Sequence, residues 1–333
     1  MTAKNDVLVG TAIANHSMDD AIAMYEQALK KDPFYAPAFW SKCFLKLAQG
    51  DLSYWANYEW FNNPIYNSNN IGWFKRKLEK SVWDGKPLNN KKIFLYCDEG
   101  FGDFFQFVRY VELIKKMGGI TILECLPDTF DLCKTIPGVD IITESNQKIS
   151  HDVHCPLMLA PKFFGIESGY IPSQFPYLNY KPTNRINIDL MFEEQNDSLN
   201  IGVVWQGNPN HKEDKKRSVD YTLFKKLAEK GNLYSLQKNT FADGMMNLGV
   251  MLCDWVDTAN AIAHMDLVIS VDTAVAHLAG AMGKEVWLLT PKFPDWRWGL
   301  NDSKTPWYPS LRLFRQTEEH DWSNVINEIY NCL

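Results

Sequence analysis

The chain is organised around SVDTAVAHLAGAMG, residues 270–283, which combines side-chain oxygens, a histidine and small residues. Asp272 and Thr273 supply side-chain oxygens at an expected helix start. Unpaired backbone N–H groups and the positive end of the helix dipole favour an anion there. His277 follows Thr273 by one turn and shares its face, while Ala274, Ala276, Ala279, Gly280 and Ala281 let the helix lie close to a sheet. A well-capped crossover helix satisfies the same residues. A second group, Glu99-Gly100-Phe101-Gly102-Asp103, has two glycines that permit a tight turn and close approach by a ligand, but it does not complete a dinucleotide fingerprint. A third begins with Trp205-Gln206-Gly207-Asn208-Pro209, a turn beneath four cations in six residues: Lys212, Lys215, Lys216 and Arg217. Arginine can grip phosphate oxygens with two prongs and lysine acts as a point charge. Glu213 and Asp214 dilute the run, and a solvated loop is the competing interpretation.

These groups need strands and helices to position them. The apolar run 266–271 reads as a buried parallel strand leading into the Asp272 turn. KKIFLYC and ITILEC read as the first two strands of an earlier half, with a helix over 103–117 between them, a helix over 127–135 and a third strand at VDII. Short elements near His154 and Pro176 close that half. Residues 180–199, rich in Asn and Asp, read as a linker with one helix. IGVVW, LYSLQ, VMLCD, DLVISV and EVWLL supply strands of a second half, with helices at 221–230, 258–265, 273–282 and 321–332. Strands alternating with helices predict parallel sheets covered on both faces. Gln237 and Lys238 end a strand there, on the side where open α/β sheets hold ligands. Residues 294–308 read as an aromatic loop.

Residues 1–62 follow a different period. MDDAIAMYEQALKKDP puts Ala21, Met24, Tyr25, Ala28 and Leu29 on one face, with Asp19 as cap and Pro33 as stop. Tyr25-Glu26 recurs as Tyr58-Glu59, an offset of 33 residues, close to the tetratricopeptide period. So few repeats do not stand alone, so these helices are expected to dock on the rest, on a partner or on a second copy. Residues 62–70 read as a loop within a connecting segment, 63–90. The domain order is therefore 1–62, 63–90, 91–180 and 181–333.

The 333 residues carry a net charge of −6, which gives no global attraction to nucleic acid or anionic lipid. No run of about 18 apolar residues suggests a membrane span, and no basic-plus-apolar leader is present. Seven cysteines without CxxC spacing fit buried thiols in a reducing cytoplasm. The histidines show no metal spacing. Aromatic residues make up 14% and serve either cores or sugar-binding clefts.

Four stretches together carry a family resemblance: WDGKPLNNKKIFLYCDEGFGDFFQFVRYVELI (83–114), IGVVWQGNPNHKEDKKRS (201–218), SVDTAVAHLAGAMGKEVWLL (270–289) and PDWRWGLNDSKTPWYPSLRLFRQ (294–316). In order and over about three quarters of the chain, they resemble the heptosyltransferase-like glycosyltransferases of family 9, in the form that follows tetratricopeptide repeats. The resemblance implies two Rossmann-like α/β halves in the glycosyltransferase B (GT-B) architecture, preceded by a short tetratricopeptide-like (TPR) helical segment. It implies an inverting transfer from a nucleoside-diphosphate sugar to a hydroxyl of a glycan or protein, with neither cofactor nor metal. Asp103 would be the base, and Gly100, Gly102, Gln106 and Arg109 would line the acceptor side. Gly207, Asn208, Lys212, Arg217, Gln237, Lys238, Asp272, Thr273, Ala274 and His277 would hold the donor. Phe101 replaces the small aliphatic residue usual in the family, Arg217-Ser218 departs from its Lys-Trp pattern, and Ala274 replaces a glycine, tolerable only at negative φ. A non-catalytic protein-interaction module and a sugar-nucleotide epimerase of the same fold are the alternatives.

Overall fold

The structure, a computed structural model, describes residues 2–14, 17–55, 78–145, 147, 149–181, 188, 191–192, 198–211 and 214–333. Tyr58-Glu59, the 62–70 loop, most of the 180–199 linker and Lys212 lie outside the described residues. The chain forms two compact units. One comprises Met1–Glu79, Leu159–Ile171 and Phe293–Asn301, and the other Lys80–Met158, Pro172–Lys292 and Asp302–Leu333.

In the first unit, helices Ala3–Ile13, Met18–Lys31 and Ala36–Ala48 follow one another. Ser17, rather than Asp19, caps the second helix by accepting from Asp20 N. Ala21, Tyr25 and Ala28 meet Ala38 in a small core, so the 3.6-residue stripe is the buried face. Trp55 packs on Trp296, ring centroids 4.8 Å apart.

The second unit contains two all-parallel sheets. Strands β1 (Lys92–Tyr96), β2 (Ile120–Cys125), β3 (Ile141–Glu144) and β4 (Val153–Pro156) are ordered β3-β2-β1-β4. Strands β5 (Leu199–Val204), β6 (Gly231–Ser235), β7 (Met246–Asn247), β8 (Leu267–Val271), β9 (Val286–Thr290) and β10 (Leu311–Arg315) are ordered β10-β9-β8-β5-β6-β7. Strands β8 and β9 are buried along their whole length, as apolar runs covered on both faces should be. Ile201, Val203, Ile269, Val271 and Leu289 of the larger sheet pack with Phe224, Trp322, Val325 and Ile329 from its covering helices. Among the described residues, no helix is long and apolar enough to cross a membrane.

Several elements differ from the sequence expectation. The helix anticipated over 103–117 is Phe101–Phe107 and Val111–Lys116 joined by a 3-10 turn, Val108–Tyr110. Arg109 Nε takes the carbonyl of Gln106 at 2.7 Å, a local bond that competes with regular helix geometry. VMLCD is no strand, because Gly249 N turns back to Ser235 O at 2.8 Å and leaves Val250 52% exposed; the short strand lies earlier, at Met246–Asn247. The segment 221–229 is a 3-10 helix. Strand β10, Leu311–Arg315, follows the aromatic loop read over 294–308, where no strand was expected.

Candidate active site

In an open parallel sheet, a crevice forms where neighbouring strands send their connections to opposite sides. The larger sheet has this point between β5 and β8, because β6 flanks β5 on one side and β8 on the other. The smaller sheet has it between β1 and β4. All three chemistry-bearing groups read from the sequence leave the carboxyl ends of strands at these points: Gly207 follows β5, Asp272 follows β8, and Gly100 follows β1.

After β8, Thr273 is the extended N-cap of the eight-residue helix Ala274–Ala281. Its Oγ1 lies 3.1 Å from Ser270 Oγ and is not used as a helix cap. Ala274 is the first helical residue with negative φ, so its methyl fits without strain. Arg217 reaches across from the β5 side: Nη1 donates to Asp272 O at 2.7 Å, and Nε to Asp214 Oδ1 at 3.2 Å. Asp214 is 4% exposed and also accepts from Ser218 Oγ at 2.9 Å. The expected phosphate cation is thus fixed by a buried carboxylate and by the loop that leads into the anion-favouring helix start. Gly207 lies beneath this cluster, and a Cβ there would collide with Asp214 and Arg217 side-chain atoms. Gln237 Oε1 accepts from Gln206 N at 3.0 Å, joining the ends of β6 and β5.

His277 is 4% exposed. Its Nδ1 lies 2.8 Å from Tyr308 Oη, and its Nε2 is 3.9 Å from Asp272 Oδ1, beyond hydrogen-bond length. On a third side it meets the other half. Helix Phe101–Phe107 packs on Ala274–Ala281, and a Cβ on Gly102 would stand only 2.9 Å from His277 Cδ2. This is the close approach that the second glycine permits. Asp103, one residue on and half-buried, accepts from Gly100 N through Oδ2 at 3.2 Å. Phe101 packs on Trp255 at the start of helix Trp255–Ala263, centroids 4.9 Å apart.

Other expected site residues take different positions. Gln106 is fully buried, and Arg109 is 6% exposed. Besides Gln106 O, the Arg109 guanidinium donates to Trp307 O and to Tyr177 Oη, both at 2.9 Å. Phe175, Tyr177, Trp307 and Tyr308 rings surround it, with centroids 4.6–5.8 Å from Cζ. Burial acts to lower its pKa, but the neighbouring tyrosines Tyr177, Tyr308 and Tyr110 outweigh that and raise it; the cation is permanent. Arg109 thus braces the two halves from within. Lys238, exposed, reaches Cys253 O at 3.2 Å, and Asn208 caps its own turn by accepting from Asn210 N at 3.0 Å. Asp214, Ser218, Tyr177 and Tyr308 were not anticipated as site residues. Asp214, three residues before Arg217 on one turn, was the legible one.

No protein-family model matches the chain. Among curated proteins it is similar to Protein FlbA of Caulobacter vibrioides, 20% identical over 290 residues, covering 75% of this chain and 48% of that protein. The chain thus spans about half the length of the curated relative it matches. Among solved structures it is similar to a glycosyl transferase of family 9 from Veillonella parvula DSM 2008, with a TM-score of 0.51 and 10% identity over 69% of this chain and 87% of that one. It is also similar to the ADP-heptose lps heptosyltransferase II of E. coli, with a TM-score of 0.50 and 11% identity over 72% of this chain and 99% of that one. At such identities the likeness is one of fold: mixed α/β, with parallel sheets arranged as in these glycosyltransferases.

Proposed function

We propose that the chain is a glycosyltransferase that moves a sugar from a nucleoside-diphosphate sugar to a hydroxyl of a glycan or protein, with inversion and without a metal ion. Asp103 takes the acceptor hydroxyl proton. The oxygen attacks the anomeric carbon as the bond to the diphosphate breaks on the opposite face. The leaving charge is met by the N–H groups of Thr273 and Ala274, by His277 and by the cations of the β5 loop, a preorganised electrostatic site. Lys212 belongs to this cation set by its place in the sequence. The amino-terminal helices serve as a tetratricopeptide-like segment that engages a partner or a second copy, and the enzyme works in the cytoplasm.

One observation carries this reading. The helix bearing Asp103 lies directly on the helix whose start favours an anion, with Gly102 against His277. On this reading the base and the diphosphate would be held by adjoining helices, an arrangement that supports direct displacement. The fold shared with the two glycosyltransferases supports the same reading.

Calorimetry with ADP-, GDP-, UDP- and dTDP-sugars, in chelator and then in magnesium, tests it. Binding of one nucleotide class in chelator is expected. Binding only with a divalent ion would remove the metal-free mechanism, and binding of none would favour a non-catalytic interaction module.

A further inference from the structure

His277 is confined on every side the structure describes. Its ring stands against Gly102, where no methyl fits, and its Nδ1 faces the hydroxyl of Tyr308 at 2.8 Å. Its Nε2 faces the carboxylate of Asp272 at 3.9 Å. Tyr308 is itself fully buried. A Cβ on Gly280 would lie 2.7 Å from its Cδ1, so the tyrosine ring rests directly on the helix that carries His277. The Arg109 guanidinium lies 5.1 Å from its ring centroid and also holds the carbonyl of the preceding residue, Trp307. A tyrosine so tightly placed presents its hydroxyl in one position.

We infer that Tyr308 is a positioning residue for His277: its O–H donates to Nδ1 and thereby keeps the imidazole proton on Nε2, facing Asp272 and the start of helix Ala274–Ala281. A neutral imidazole has one donor and one acceptor nitrogen, and the partner of one fixes the other. At 2.8 Å the phenol O–H is the stronger donor and the Nδ1 lone pair the stronger acceptor, so the ring proton stays on Nε2, 3.9 Å from the acceptor-only Asp272 carboxylate. Nδ1 then offers its lone pair to the phenol. A ring flip would put C–H groups where both partners now meet nitrogen. The consequence for chemistry, which rests on the diphosphate reading above, is a directed N–H for a phosphate oxygen. Tyr308 acts on the phosphate through His277, which makes it a positioning residue.

The test uses the full chain labelled with 15N-histidine, with the His277 signals assigned from a His277→Gln variant. At about pH 8, above the ordinary histidine range, long-range 1H–15N spectra should show a protonated Nε2 and a bare Nδ1 for His277. Tyr308→Phe keeps the ring on Gly280 and Arg109 but removes the hydroxyl. It should give a mixture of tautomers and weaken binding of inorganic pyrophosphate by about 2- to 12-fold, the scale of one neutral hydrogen bond. A wild-type His277 protonated on Nδ1 overturns the inference, as do His277 nitrogen shifts unchanged in Tyr308→Phe. Wild-type protein that shows the expected tautomer yet binds no pyrophosphate would instead count against the diphosphate site, leaving the role of Tyr308 toward His277 standing.

Discussion

Replacing Gly102 by alanine sets two effects of known size against each other. Gly102 is the second residue of helix Phe101–Phe107 and has no positive φ, so an alanine backbone is allowed. Helix propensity alone would make the change stabilising, by up to about 1 kcal/mol in a helix interior and less in a first turn. The added methyl, however, would lie 2.9 Å from His277 Cδ2 and 3.3 Å from Nε2. Carbon atoms prefer about 3.5–4.0 Å, so the overlap is roughly 0.6–1.1 Å. His277 cannot retreat freely, because Tyr308 holds its far nitrogen at 2.8 Å. Overpacking of this kind costs about 1–3 kcal/mol, and on balance Gly102→Ala should lose about 0–3 kcal/mol. Reversible unfolding in urea reads that loss. Because the strain falls on His277, donor affinity measured by calorimetry should also fall, by about tenfold for a shift worth 1.4 kcal/mol. A variant that gains stability and binds the donor as well as wild type would falsify the close packing of the two helices.

Further outcomes follow from the same geometry. Asp103→Asn should lower kcat by about 10²–10⁴-fold, the usual worth of a general base, with donor affinity unchanged, whereas Thr273→Val should weaken donor binding first; steady-state kinetics with the donor identified by calorimetry separates the two. His154, 3.2 Å from Tyr96 Oη through Nδ1, has its pKa lowered by burial, with His151 adding to the effect. Its contribution to stability is complete above the unfolded value of about 6.5 and is lost as pH falls through the lower folded value. His154→Gln should therefore flatten the acid side of a stability-versus-pH curve, and an equally steep loss in variant and wild type would show that another group is responsible. Removing residues 2–55 should uncover Trp296 and Trp298, now 7% and 1% exposed. The shortened protein should bind a hydrophobic dye and aggregate, and a soluble, equally heat-resistant product would show the helices to be dispensable.

What could be read from the sequence was whatever depends on neighbours along the chain. The run Leu267–Val271 is β-branched and apolar from end to end, so its buried strand was visible. So was the helix start at Thr273, because a strand end followed by Asp-Thr and a run of small residues is a local signal, even though the hydroxyl turns to Ser270 instead of capping the helix. Strand β10 was hidden by its setting: LRLFR alternates only weakly and follows a stretch dense in Trp and Pro. VMLCD has the composition of a strand, but the bond from Gly249 to Ser235 claims that segment for a turn, and tertiary context overrides β-propensity. Arg109 was the hardest residue to place. It sits two turns beyond Gly102 like a pocket residue, yet its partners lie 68 and 198 positions away. No periodicity carries information over such separations.

The Arg109 cage also bears on the order in which the molecule can be made. During synthesis the first sheet is complete once β4 has emerged, but Arg109 then lacks Tyr177, and the carbonyl of Trp307 follows more than a hundred residues later. A buried cation without its acceptors is strongly disfavoured. The first half must therefore wait, with that side chain in water and its surroundings loose, until nearly the whole chain is available. Domains generally fold as units from the amino terminus, and here the earlier half cannot finish before the later one. A ribosome-bound chain ending before residue 307 should leave the Phe101–Phe107 region open to proteases, and the final closure should depend on some of the last residues translated.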